Sequence, residues 1–208
     1  RVCAQLSPSI VLMGATYMGR DLAPKLACRL GTGLATDCVG LNIDPQTKGL
    51  VATRAVYGAK AMAEVDCGTA RPAMATVKAK SQEPLEPSSS RRGVVIPIAV
   101  QLNAALAKTQ VVNRVTIEVE GIKLEDARIV VGGGRGLGSI ENWKKLEALA
   151  ADLKGAIGST RGACDEGYCA MSTQLGITSK SVAPELYIAV GISGASQHMG
   201  GVSFSKHI

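Results

Sequence analysis

Short apolar runs alternate along this chain with glycine-rich or polar turns, and helical spacing appears between them. Residues 9–13 (SIVLM) read as a buried strand closed by Gly14, and Leu22, Leu26, Ala27 and Leu30 recur near helical spacing, which predicts a helix over 21–30 stopped by Gly31. A second strand is predicted over 38–43, followed by turn chemistry at 44–49 (DPQTKG) and further strands over 50–57 and 73–77. Residues 84–93 (PLEPSSSRRG) read as a surface loop, and the alternation of Val115, Ile117 and Val119 against Thr116 and Glu118 predicts a half-exposed strand over 111–119. The pattern then repeats: a strand over 127–131, a glycine loop over 132–136, and a helix from an N-cap at Ser139 to about Leu153 with Trp143, Leu146, Leu149 and Ala150 inward. Strands over 155–158 and 185–190 complete it. Strand–helix–strand units with short connections predict an α/β fold of two parallel-sheet domains, residues 1–121 and 122–208, with the boundary at Gly121.

Bulk properties narrow the class. The 208 residues are 46% hydrophobic and 19% charged, with only 3% aromatic, which fits a globular, tightly packed α/β protein. The net charge of +6 comes from scattered Lys and Arg without aromatic interleaving, so a solvated basic surface is read rather than a nucleic-acid interface. No apolar run approaches the roughly 20 residues of a membrane span, so no membrane insertion is expected. Six cysteines form no Cys-x-x-Cys pair and two histidines are too few for zinc sets, so no metal site is expected and the thiols read as buried and free in a reducing compartment. Opening at Arg1 without Met predicts an internal segment of a longer polypeptide.

The densest chemistry lies at 191–201 (GISGASQHMGG), straight after the apolar run 186–190. Glycines there let main-chain N–H groups approach an anionic ligand, and Ser193, Gln197 and His198 sit in the same turn. Upstream, 132–138 (GGGRGLG) occupies the place of a phosphate loop, but its spacing misses Gly-x-Gly-x-x-Gly. A tight strand-to-helix turn explains it equally well, and Arg135 tips the balance toward phosphate. Thr160 and Arg161 follow a strand end, where ligands of open parallel sheets bind, although pairing of Arg161 with Asp165 is a rival account of that charge. Thr178, in the polar loop 174–181, offers one hydroxyl donor to a ring nitrogen. No Ser-His-Asp set, carboxylate pair or Walker lysine is present.

These segments together resemble the alpha subunit family of electron transfer flavoprotein. The motifs that carry the likeness are VGGGRGL from Val131, GSTR from Gly158, DEGY from Asp165, QLGIT from Gln174 and PELYIAVGISGASQH from Pro184. GRDLAP from Gly19, GTGLATD from Gly31 and RPAMAT from Arg71 extend it to the N-terminal region. The resemblance implies an FAD held by the C-terminal domain, which would be Rossmann-like, and a heterodimer with a beta subunit contacted by the N-terminal domain. It implies that Arg135 lies near the FAD, that Thr160 and Arg161 meet its pyrophosphate or ring side, and that Gln174, Leu175, Gly176, Ile177 and Thr178 pass the ring. Ser193, Gly194, Ala195, Ser196, Gln197 and His198 would wrap the ribityl–pyrophosphate region, with His198 at the O2 edge. Arg161, His198 and Thr178 would then tune the reacting ring, Arg161 as a cation and His198 as a charged or hydrogen-bonding group. The implied function is electron relay from flavin-containing dehydrogenases, with NADH-linked electron bifurcation in some members, in the bacterial cytoplasm or the mitochondrial matrix. The family pattern also has segments before Arg1 and after Ile208, the latter serving the adenosine half of FAD. A nicotinamide-dependent dehydrogenase and a nucleotide-binding assembly subunit without redox role remain alternatives.

Overall fold

A computed structural model describes residues 2–90, 92–99, 108–115 and 122–208. Two sheets organise the described residues. The first has five strands in the order β1 (Ile10–Gly14), β5 (Ala73–Val77), β2 (Leu34–Ile43), β3 (Leu50–Val56), β4 (Ala61–Asp66). Strands β1, β5 and β2 are parallel, as the strand–helix–strand pattern predicts, whereas β2–β3–β4 run antiparallel. The antiparallel extension follows from short connections. Asp44 Oδ1 accepts from the amides of Gln46 and Thr47 at 2.7 and 3.1 Å and turns β2 directly into β3. Helix α1 (Val2–Leu6) precedes the sheet, and α2 (Tyr17–Leu30) covers it, capped by Thr16 Oγ1 at one end and by left-handed Gly31 at the other. Its buried face is Gly19, Ala23 and Ala27; Leu22, one of the spaced apolar positions, is more than half exposed. Small residues bring the helix close to the sheet, whose buried core is Ala35, Cys38, Leu50, Ala52, Ala73 and Ala75.

The second sheet is parallel throughout, in the order β7 (Ala156–Ser159), β6 (Ile129–Gly133), β8 (Leu186–Val190). Helix α3 (Ile140–Asp152) packs on it through Trp143, Leu146 and Ala150, and Ser139 caps it by accepting from the Asn142 amide. Leu149, expected inward, is 40% exposed, because it falls on the helix flank beyond Leu146, outside the buried arc of Trp143, Leu146 and Ala150. Burying one large apolar side chain stabilises by about 1.5–3 kcal/mol, so Trp143, 2% exposed, anchors this helix. Two short helices complete the unit, α4 (Arg161–Asp165) and α5 (Ser196–Val202).

Polar links join the sheets' surroundings: Lys78 Nζ donates to Gly200 O at 2.7 Å, and ion pairs connect Lys80 with Asp126 and Lys206 with Glu83. The loop expected at 84–93 carries no regular structure where described. Residues 111–115 carry no strand, and the rest of the strand predicted over 111–119 lies outside the described residues, as does the Gly121 boundary. The cysteines are free, but only Cys38 is buried; Cys28 is exposed and the other four are half-buried, since most lie at element ends rather than in the core. Among the described residues no helix is long and apolar enough to cross a membrane.

Candidate functional site

The carboxyl ends of β7, β6 and β8 open onto one cavity of about 700 Å³. Backbone hydrogen bonds stitch its walls together. Thr160 N donates to Gly133 O at 3.0 Å, Leu175 N to Ser159 O at 2.9 Å, Gly134 N to Val190 O at 2.9 Å, and Gly136 N to Gly191 O at 3.0 Å. Ile177 N donates to Gln197 O at 2.8 Å and closes the loop after β7 onto α5. Loops far apart in sequence are thereby held in fixed positions around one space.

Eleven of the sequence-predicted site residues line that space: Arg135, Thr160, Arg161, Gln174, Leu175, Gly176, Thr178, Ser193, Ala195, Gln197 and His198. Ile177, Gly194 and Ser196 do not line it. Ile177 packs instead where a side chain at Gly200 would sit, Gly194 provides a left-handed turn with φ of 75°, and Ser196 opens α5 with its hydroxyl on Gln197 Oε1. Gly136, Gly191 and Ile192, which belong to the glycine segments read from the sequence, also line the cavity, as does Gly162, which was not singled out. The glycine loop answers the question its spacing left open. A side chain at Gly134 would overlap the Gly191 carbonyl, so this glycine serves the close packing of two turns, and Arg135 brings the loop's charged side chain to the cavity.

Thr160 Oγ1 accepts from the Ala163 amide at 3.3 Å as the cap of α4, which leaves its hydroxyl proton for a ligand. Arg161 pairs with Asp165 at 3.5 Å while three-quarters of its side chain stays exposed, so the ion pair weighed in the sequence does form and screens part of its charge. His198 is different. It is 6% exposed, its Nδ1 lies 3.2 Å from Leu175 O, and its Nε2 lies 2.8 Å from the hydroxyl of Tyr187. A carbonyl only accepts, so Nδ1 carries the proton and Nε2 accepts from Tyr187. Burial lowers the His198 pKa, against the smaller opposing effect of the Leu175 carbonyl, and burial likewise holds the Tyr187 phenol protonated well above its usual range. Of the two forms the resemblance offers for His198, charged or hydrogen-bonding, desolvation favours the neutral one, with both ring nitrogens engaged. Tyr187 is the functional residue that sequence reading missed. The available signal was one tyrosine inside an otherwise aliphatic strand, since a buried phenol requires a polar partner.

Comparison with known proteins agrees with this geometry. Residues 123–203 match the family model of the electron transfer flavoprotein FAD-binding domain, and residues 1–103 match that of the electron transfer flavoprotein domain. The chain belongs to the electron transfer flavoprotein alpha subunit family. It is 42% identical over 207 residues to the electron transfer flavoprotein subunit alpha of Bacillus subtilis, a match spanning 100% of this chain and 62% of that protein. It is 40% identical over 203 residues to the subunit alpha of Clostridium acetobutylicum, spanning 97% of this chain and 60% of the relative. A mitochondrial subunit alpha from Arabidopsis thaliana is 37% identical over 206 residues, spanning 96% of this chain and 55% of the relative. The chain thus covers roughly three-fifths of the length of the relatives it matches.

The cofactor of an electron transfer flavoprotein FAD-binding domain is FAD, and the donors present fit it. Two guanidiniums, Arg135 and Arg161, suit a diphosphate, being planar forks that match phosphate oxygens. The hydroxyls of Thr160, Thr178 and Ser193 and the amides of Gln174 and Gln197 suit the polar edges of a ribityl chain and a ring. The cavity volume lies in the range of cofactor sites.

Proposed function

We propose that this chain is the FAD-holding part of an electron relay, working in a heterodimer with an electron transfer flavoprotein beta subunit. Flavin-containing dehydrogenases would supply the electrons and a downstream acceptor would take them. FAD supplies the redox chemistry; the protein supplies binding, orientation and electrostatics. The observation that carries the reading is the convergence of two arginines, three hydroxyls and two amides, from four separate chain segments, on one cavity at the strand ends.

In this reading Arg135, Thr160 and Arg161 bind the diphosphate and bring positive charge to the ring side. Thr178 offers its hydroxyl to the ring, and the turn from Ser193 to Gln197 follows the ribityl chain. His198 is a positioning residue: bonded to Leu175 O and Tyr187, it fixes the loop at 174–178 against α5. We assign residues 1–121 to the unit that meets the beta subunit and 122–208 to the FAD-binding unit. The relatives from Bacillus and Clostridium favour the bacterial cytoplasm, with the mitochondrial matrix as the alternative.

The test is a visible absorption spectrum of the protein purified with its beta subunit. Flavin bands with about one FAD per alpha chain support the relay. Two FADs per heterodimer together with NADH oxidation mark the bifurcating form. A colourless heterodimer that takes up no added FAD overturns the proposal.

A further inference from the structure

Cys164 and Cys169 place their sulphurs 3.6 Å apart, the pair of cysteines whose sulphurs touch among the described residues. The approach is built by the backbone. Helix α4 ends at Asp165, Gly167 reverses the chain with φ of 76°, and Tyr168 N donates to Ala163 O at 3.1 Å, which returns Cys169 to the side of Cys164. Both thiols are half-buried, so a small reagent can reach them. We propose that Cys164 and Cys169 are a redox-active dithiol, closing to an intramolecular disulfide by exchange with a small-molecule disulfide of the glutathione class.

A disulfide spans about 2.05 Å, so closure needs about 1.5 Å of sulphur movement, within reach of side-chain rotation on this turn. Cys164 Sγ also sits beside polar atoms, 3.1 Å from Ser159 Oγ and 3.6 Å from Ala170 O. Cys169, on the loop beyond α4, makes the first attack. Its thiolate breaks the S–S bond of the reagent and forms a mixed disulfide, releasing one small thiol. Cys164, losing its proton, then attacks Cys169 Sγ and releases the second. In balance, two protein S–H bonds and one reagent S–S bond give one protein S–S bond and two reagent S–H bonds. Cys164 touches Ser159, the residue before the cavity-lining Thr160 and Arg161, so the pair lies next to the cavity wall.

The dithiol rests on thiol geometry and not on the FAD reading, so each can fail without the other. The test treats the full chain with glutathione disulfide, alkylates with iodoacetamide, and maps tryptic peptides by mass. Residues 162–180 contain both cysteines and no internal Lys or Arg, so one peptide reports the pair. The expected result is that peptide unalkylated and two hydrogens lighter, with double alkylation restored by dithiothreitol and the mass loss absent in Cys169→Ser. Two outcomes overturn the proposal: double alkylation of the 162–180 peptide in a sample whose exposed Cys28 carries glutathione, or a disulfide that links two chains.

Discussion

Replacing Gly134 by Ala tests whether the cavity is held together by backbone packing between two turns. Gly134 has φ of −110° and ψ of 175°, ordinary for any residue, so the substitution carries no conformational penalty of its own. The added Cβ would overlap the Gly191 carbonyl oxygen and lie 2.7 Å from its carbon and 2.9 Å from Ile192 Cα. All three are backbone atoms, so relief requires the turn after β8 to move away from the turn after β6. Two hydrogen bonds cross that seam, Gly134 N to Val190 O and Gly136 N to Gly191 O. Overpacking costs about 1–3 kcal/mol and each lost bond about 1 kcal/mol, so roughly 2–5 kcal/mol is expected in all. That is a large share of the ~5–15 kcal/mol stability of a domain. The same movement separates Arg135 from Ser193, and FAD affinity should fall at least about tenfold, ~1.4 kcal/mol. Urea unfolding and FAD titration by fluorescence measure both quantities. Gly33→Ala, where a Cβ meets only open space, is the control and should shift stability by less than about 0.5 kcal/mol. A Gly134→Ala protein with the wild-type midpoint and wild-type FAD affinity would refute the packing argument.

Other expectations follow from the same geometry. His198 is held neutral by burial, so below about pH 6.5 the unfolded chain takes up a proton that the folded chain refuses. Its stabilising contribution is complete above that pH and declines as pH falls, by up to about 1.4 kcal/mol per unit; the difference in unfolding free energy between wild type and His198→Asn should change with pH in that sense, and a pH-independent difference would contradict it. Tyr187→Phe removes the donor to His198 Nε2 and should destabilise by about 1–3 kcal/mol, read as a lower melting temperature; an unchanged melting temperature would show that this bond contributes little. Arg161→Ala should lower the one-electron potential of bound FAD. The guanidinium is mostly exposed and paired with Asp165, so the low end of a unit charge at about 4 Å applies, ~1 kcal/mol or about 40 mV. Asp165→Ala should shift the potential the other way, and spectroelectrochemistry with equal potentials for all three proteins would remove Arg161 from the role assigned.

The parallel strands were legible because each is a short apolar run bounded by turn residues, as at β1, β5 and β8. Strand β4 was not, since its apolar face is only Ala61, Ala63 and Val65 and four of its six side chains are exposed. Helices α4 and α5, of five and seven residues, are too short to display a period. Leu22 and Leu149 fit helical spacing yet stay partly exposed, Leu22 because the small residues Gly19, Ala23 and Ala27 make the close contacts of α2, and Leu149 because it lies on the flank of α3. At the site, the residue types and their place after strand ends were readable from the chain alone. The protonation state of His198 was not, because it depends on Tyr187 and on the Leu175 carbonyl, 11 and 23 positions away, which only the fold brings near.

The most direct measurement is a crystal structure of the heterodimer grown with FAD. The account predicts flavin density inside the cavity, between the turn carrying Arg161 and the turn carrying Ser193, with Tyr187 still bonded to His198. Density for FAD elsewhere, or a beta-subunit segment filling this space, would contradict it.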